Sequence, residues 1–386
     1  MNHLIGKSVN VIDTPALVVD LDMMERNLRT MAAFAAQHGV MLRPHAKMHK
    51  SAELAKLQVA AGAIGVCVQK TSEAEALVAG GVLNIFISNE VIAPTKLTRV
   101  AALTRVLAAC GGKLAICVDS LEGIKRLADC MNAGRLLSGI SSSIDVFIEL
   151  NVGHNRCGVE PGTAAVALAL EIRKHPALNF AGLQAYHGKA QHMRSVAERQ
   201  AAILSAIKAV HLTRQLIEDE GIKVSLVTGA GTGTAALEAA SKMYGELQAG
   251  SYLFMDADYA ANEPALGQPH FKHALFVKTQ VISVHAKHVV CDAGHKSHAI
   301  DSGMPKVHAF SSRSALVYSN GGDEHGILTP AAGSTRLPSL GSMLWLIPGH
   351  CDPTVNLHDA MIGVRGGLLE GVVERIITVD GRGALT

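Results

Sequence analysis

Apolar residues follow two different rhythms along this chain. Over the first two-thirds, short runs of aliphatic and β-branched residues recur at Val40–Arg43, Gly65–Gln69, Asn84–Asn89, Leu114–Asp119, Asp145–Leu150, Phe180–His187, Val224–Thr228 and Gln248–Phe254. Each has the length and make-up of a buried strand. Between them lie longer Ala-, Leu- and charge-rich segments of helical period. One such segment precedes the first run: Met24, Leu28, Met31 and Ala35 put one apolar face on a helix over Asp22–Gln37. Eight strands separated by helices predict an α/β fold, a parallel (β/α)8 TIM-type barrel, with a doubly wound open sheet as the competing arrangement. After about Ala274 the rhythm changes. Phe276–His285, His288–Asp292, Met343–Ile347 and Glu370–Val379 read as strands, punctuated by Asp301-Ser-Gly, Asn320-Gly-Gly, Pro348-Gly and Asp380-Gly. The expected organisation is a barrel over residues 15–270 and a C-terminal all-β domain over 271–386, joined by residues 1–14.

Composition narrows the classes. The chain has 386 residues, 48% of them hydrophobic, enough to fill a barrel and a second core. A net charge of +2 without a block of like charges argues against nucleic acid or an anionic membrane as partner. No apolar run reaches membrane-spanning length. The opening MNHLIGKSVNVIDTP lacks a secretion signal. The seven cysteines are scattered and form no CxxC pair, a reduced pattern that predicts a cytoplasmic protein.

In such a barrel the reactive groups gather at the C-terminal strand ends. The first strand runs into Arg43-Pro-His-Ala-Lys47-Met-His-Lys50. Pro44 ends regular pairing, and Lys47 follows at the mouth. A lysine there can form a Schiff base if burial or neighbouring cations lower its pKa. His45, His49 and Lys50 are the neighbours at hand, and a solvated basic loop is the plain alternative. The seventh strand ends in Thr228-Gly-Ala-Gly-Thr-Gly-Thr234, where Gly231, Thr232 and Gly233 offer backbone N–H groups to a phosphate, ahead of a helix. Gly250, Ser251 and Tyr252 form a second turn able to close the same cup. Lysine plus phosphate cup is the minimum that pyridoxal 5'-phosphate requires. The sixth strand ends in Tyr186-His187: His187 is the expected general acid/base, with a hydrogen-bonded structural histidine as the plain alternative, and Tyr186 points to the opposite face if the segment stays extended. After the fifth, Arg156 could donate to the cofactor's pyridine nitrogen; a loop arginine paired with surface acids is the alternative. His350 and Asp352, two apart in an expected extended turn, suit a divalent cation, Mn2+ or Mg2+; a hydrogen-bonded His–Asp pair competes.

Taken together, RPHAKMHK, QKTSEAEA, ISNEV, RCGV, LQAYHGKAQH, TGAGTGT, ELQAGSYLFMDADY, DEHG and PGHCDPTVNLHD resemble the D-threonine aldolase family, which includes the closely similar D-3-hydroxyaspartate aldolases. The resemblance runs from about Asp13 to Gly363. It implies a fold-type-III, alanine-racemase-like pyridoxal-phosphate enzyme, a homodimer that cleaves a D-β-hydroxy-amino acid to glycine and an aldehyde. It implies that Lys47 carries the cofactor, that His187 is catalytic and that His350 and Asp352 are metal ligands. It also places Arg156, Gln69, Tyr186 and the glycine cup against the cofactor. Ala360-Met361, the histidines of Gly294-His-Lys-Ser-His298, and His154-Asn155 depart from the family pattern and leave the substrate open. The rivals are a D-serine or D-3-hydroxyaspartate dehydratase, a racemase using Tyr318 as second base, and a non-catalytic pyridoxal-phosphate carrier. Asp323-Glu324-His325 has no assigned role.

Overall fold

The computed structural model describes residues 1–138, 142–308, 315–334 and 336–386. Strand β1 (Ala16–Asp20) comes first. Asp20 then caps helix α1 (Leu21–His38), accepting from the Met23 N–H at 3.1 Å, and Gly39 ends it in the left-handed conformation. Eight parallel strands follow: β2 (Met41–Leu42), β3 (Val66–Val68), β4 (Asn84–Glu90), β5 (Lys113–Val118), β6 (Ile144–Glu149), β7 (Leu178–Ala185), β8 (Leu226–Gly229) and β9 (Glu246–Leu247). Helices connect them, from α2 (Ala52–Ala60), α3 (Thr71–Ala79) and α4 (Pro94–Ala109) through α5 (Leu121–Ser138) and α6 (Thr163–Ile172) to α7 (Val196–Asp219) and α8 (Ala235–Ser241). The strand order is β2-β9-β8-β7-β6-β5-β4-β3. The N–H groups of Ile64 and Cys67 donate to the carbonyls of Leu42 and Pro44, both at 2.9 Å, which closes the row into a barrel.

Alternation decides what faces the lumen. Cys67, Phe86, Cys117 and Phe147 form an inner cluster, while their neighbours Val66, Ile87, Ile116 and Ile148 pack in the core shared with the helices. The last barrel strand differs from expectation. It is Glu246–Leu247, and the anticipated run Gln248–Phe254 instead leaves the sheet and turns at Ser251–Leu253. Gly250 permits this: a Cβ there would lie 2.6 Å from the His45 carbonyl.

The second sheet has nine strands. They run β13 (Leu316–Asn320), β14 (Gly326–Pro330), β11 (Val289–Cys291), β10 (Leu275–Val284), β1, β16 (Ala360–Arg365) and β17 (Val372–Thr378). β15 (Met343–Ile347) pairs with β10, and β12 (Lys306–Val307) with β15. β1 thus lies in this sheet, antiparallel to β10 and parallel to β16. Residues 2–11 also reach it: Ser8 bridges to Val372. Two short helices, Cys351–Val355 and Gly367–Glu370, interrupt the strands.

A buried lysine anchors the N-terminal segment. Lys278 is 1% exposed, and its ammonium donates to the carbonyls of Val9 (2.9 Å), Asn10 (3.3 Å) and Ile12 (2.7 Å). Lys278→Met leaves these carbonyls without their donor. The expected loss is on the order of 2–3 kcal/mol, read as a lower denaturation midpoint with an unchanged slope.

Candidate active site

After Pro44 the chain leaves the barrel wall and makes a single 3₁₀ turn, Ala46–Met48, which presents Lys47 to a cavity at the C-terminal ends of the strands. Its Nζ lies 3.4 Å from Asp352 Oδ2. Burial works to lower the Lys47 pKa, but the Asp352 carboxylate outweighs it and the net direction is up. The expected cationic neighbours do not perform that role. His49 is fully buried and turned to Gln58 at 3.2 Å, with burial pushing its pKa to about 4. Lys50 pairs with Glu73 at 3.2 Å. Gln69 lines the same cavity, its Nε2 2.9 Å from His45 Nε2 and 3.2 Å from the Ser88 carbonyl.

Gly231, Thr232, Gly250 and Ser251 form another wall. Among the described residues nothing accepts from their backbone N–H groups, so four donors stand free at the cavity edge. That cup fits a phosphate. Helix α8 is only seven residues long, so the fit rests on the N–H groups rather than on a helix dipole. Gly233 and Tyr252 stand behind this wall. The Gly233 N–H donates to Gln191 Oε1 at 3.1 Å, the Tyr252 N–H donates to Thr232 Oγ1 at 3.0 Å, and the Tyr252 hydroxyl accepts from Gln58 at 3.1 Å.

The histidine expected as base is placed elsewhere. Leu183 and Ala185 of β7 belong to the helix-side core, while Gln184 and Tyr186 line the cavity. His187 continues the alternation away from the lumen and is 6% exposed. Its Nδ1 accepts from the Ala190 N–H at 3.3 Å, and a Cβ on Gly153 would meet its Nε2 at 2.7 Å. The cavity instead receives His192, at the end of the 3₁₀ turn Gly188–His192. His192 Nδ1 is 2.6 Å from Asp258 Oδ2. Donation from Nδ1–H fixes the ring and leaves Nε2 as an acceptor. Burial pushes the Asp258 carboxyl up, but hydrogen bonds from His192 and Arg194 outweigh it and keep it ionised. This histidine–carboxylate pair was missed in the sequence, although His192 stands in the LQAYHGKAQH motif.

Arg156 reaches the cavity with its Nη2 4.0 Å from Glu149 Oε1. Burial, first, and the neighbouring Glu90 push the Glu149 carboxyl up, while Arg156 pulls it the other way.

The second sheet supplies the remaining wall through His350 and Asp352. They meet across the start of the Cys351–Val355 helix, not in an extended turn. His350 Nε2 is 3.7 Å from Asp352 Oδ1, and its Nδ1 is held by Asp301 Oδ2 at 2.7 Å. Asp352 Oδ1 is buried without a hydrogen-bond partner. An orphaned carboxylate oxygen facing an oriented imidazole is a donor pair that fits a hard divalent cation. No group of three or more His, Cys, Asp or Glu with that geometry occurs among the described residues, so water or substrate oxygens would complete the coordination. Cys351 between them is fully buried and does not line the cavity. The two halves are tied together here: the N–H groups of Ala257 and Asp258 donate to the carbonyls of Pro348 (3.0 Å) and Gly349 (3.2 Å).

Two other motifs prove structural. Asp323-Glu324-His325 forms the β13–β14 turn, where Asp323 lies 2.9 Å from His295 Nε2, and Gly326 is packed so closely that a Cβ would meet the Tyr318 ring at 2.2 Å. Tyr318 is buried, donates to the Ala293 carbonyl at 2.8 Å and lies 2.9 Å from His298 Nε2; it does not line the cavity.

Known proteins share this fold and much of this sequence. The alanine racemase N-terminal domain family matches residues 19–258, and a serine dehydratase domain matches 274–364. A D-threonine aldolase of Arthrobacter sp is 44% identical, the match covering 98% of this chain and 95% of that protein. A 3-hydroxy-D-aspartate aldolase of Paracoccus denitrificans (strain Pd 1222) is 40% identical, covering 95% and 92%. The crystal structure of D-threonine aldolase from Filomicrobium marinum superposes with a TM-score of 0.92 at 44% identity, covering 99% of each chain. A fold of this kind implies pyridoxal phosphate as cofactor, and the chain belongs to the D-threonine aldolase and 3-hydroxy-D-aspartate aldolase family of alanine-racemase-like lyases.

Proposed function

We propose that this lyase uses pyridoxal phosphate and a divalent cation, Mn2+ or Mg2+, to cleave D-configured β-hydroxy-α-amino acids into glycine and an aldehyde. The observation that carries the reading is the convergence on one cavity of Lys47, the His192–Asp258 pair and the His350–Asp352 pair. The D configuration and the retro-aldol outcome rest on the names of the similar proteins.

Lys47 would hold the cofactor covalently, the cup of Gly231, Thr232, Gly250 and Ser251 its phosphate, and Gln69 and Arg156 would flank its ring. Bound pyridoxal phosphate supplies the electron sink for the pair released when Cα–Cβ breaks. A cation at His350 and Asp352 supplies positive charge that acidifies the β-hydroxyl. His192 Nε2 takes the hydroxyl proton, and Asp258 stabilises the imidazolium that results. The C–O bond becomes the aldehyde carbonyl as Cα–Cβ breaks, and a proton delivered to Cα completes glycine.

Chelation tests the metal half. EDTA abolishes cleavage in this account, and Mn2+ or Mg2+ restores it; a rate unchanged in EDTA rejects the cation. Asp301 orients His350 from behind the pair. Asp301→Ala therefore weakens cation affinity by ~10–100-fold, measured as the Mn2+ concentration giving half-maximal rate.

A further inference from the structure

We infer that Lys189 is the residue that selects the substrate's β-substituent, and that it favours an anionic one, so that the preferred substrates are β-hydroxy-amino acids carrying a second carboxylate on the β-carbon. The inference rests on the aldolase reading and deepens it.

Placement comes first. Lys189 and His192 lie on the same 3₁₀ turn, Gly188–His192, and both line the cavity. In a 3₁₀ turn residues three apart eclipse one another, so the ammonium stands on the same face as the base. The base acts on the hydroxyl of the β-carbon. A group attached to that carbon therefore meets Lys189, whereas the amine must reach the cofactor held at Lys47.

Charge comes second. Lys47, Arg156, Lys189 and Asp352 are the lysine, arginine and acidic side chains in the cavity wall, and Asp352 is already engaged with Lys47 at 3.4 Å. Lys189 is exposed and has no ion-pair or hydrogen-bond partner among the described residues. It is a cation without an anion at the mouth of a substrate cavity.

His154 supplies an independent observation. Its ring packs so tightly on Gly188 that a Cβ there would lie 2.3 Å from Nδ1, and that Nδ1 is buried without a hydrogen-bond partner. Burial lowers the His154 pKa, and neighbouring cations, Arg156 before Lys189, lower it further. An anion beside Lys189 offsets the charge of these two cations. A methyl group in the same place leaves it uncompensated.

The test compares kcat/KM for D-3-hydroxyaspartate, both diastereomers, with that for D-threonine, using protein loaded with pyridoxal phosphate and Mn2+. Lys189→Met should cut the ratio of the two values by ~10–100-fold. Lys189→Arg, which keeps the charge, should hold the ratio within ~3-fold of the parent. A ratio in Lys189→Met within ~2-fold of the parent overturns the inference, because a lysine that binds the α-carboxylate or merely supports the loop affects both substrates alike. That outcome leaves the aldolase reading standing. If the parent protein produces glycine from neither substrate, the aldolase reading itself fails and the inference with it.

Discussion

Replacing Lys47 by alanine removes the lyase activity by roughly 10⁴-fold or more, along with the near-ultraviolet and visible absorbance of lysine-bound cofactor. The side chain is partly exposed and sits on a single 3₁₀ turn, so its loss leaves barrel packing in place. Reduction with borohydride followed by peptide mapping supplies the direct readout: the parent carries the cofactor on the Lys47 peptide, and the variant carries none there. A label on another lysine, such as Lys50 or Lys189, contradicts the assignment. Lys50 is a poor alternative because it is buried against Glu73 and Asn356.

The second large effect separates two histidines five residues apart. His192→Ala should lower kcat by ~10²–10⁴-fold while cofactor absorbance persists, since His192 is held by Asp258 and is not one of the residues of the phosphate cup. Asp258→Asn should follow in the same direction, because it weakens the hold on Nδ1 that leaves Nε2 free. His187→Ala acts differently. Its ring packs against Gly153 and the Ala190 N–H, so the change loosens the loop contact and lowers stability by about 1–2 kcal/mol. Parallel thermal melts and kcat measurements distinguish the two. A His192→Ala enzyme with nearly full kcat removes the base assigned here.

These two histidines show what the sequence revealed and where it misled. The barrel was legible because its strands are short apolar runs flanked by helical periods, and α1 was legible from its apolar face and its Asp20 cap. The placement of Lys47 followed from Pro44 ending the strand. Which histidine lines the cavity did not follow from motif position alone. Strand alternation already contained the answer: Gln184 and Tyr186 share a face, so His187 had to face the helices. What could not be read was the 3₁₀ turn after it, which carries His192 into the cavity, nor Asp258, which lies 66 residues away in sequence. Strands β1, β12, β13, β14 and β16 were missed, and β1 lies in the second sheet rather than in the barrel expected over residues 15–270. Lys306–Val307 is only two residues long, and Gly363 interrupts the apolar run of Ala360–Arg365, so neither of these two carries a period. The eighth barrel strand was shifted because Gly250 lets the backbone press against His45, a tertiary contact with no local signature. The metal pair was legible as residues but not as geometry: the Cys351–Val355 helix, not an extended turn, brings His350 and Asp352 together.

Asp352 connects these results. It pairs with Lys47 through one oxygen and leaves the other buried and unpartnered beside His350. Barrel and second sheet therefore meet at one carboxylate, and the backbone bonds from Ala257 and Asp258 to Pro348 and Gly349 hold that junction in register. A chemistry that needs both a lysine-held cofactor and a cation on the β-hydroxyl requires such a junction.

Identification of the products tests the central claim most directly. Purified protein with pyridoxal phosphate and Mn2+ is incubated with D-threonine and, separately, with D-3-hydroxyaspartate, and glycine, aldehyde, 2-oxo acid and ammonia are quantified together. The account predicts equimolar glycine and aldehyde from at least one substrate, with no ammonia. Ammonia and a 2-oxo acid in place of glycine would contradict it and make the chain a dehydratase.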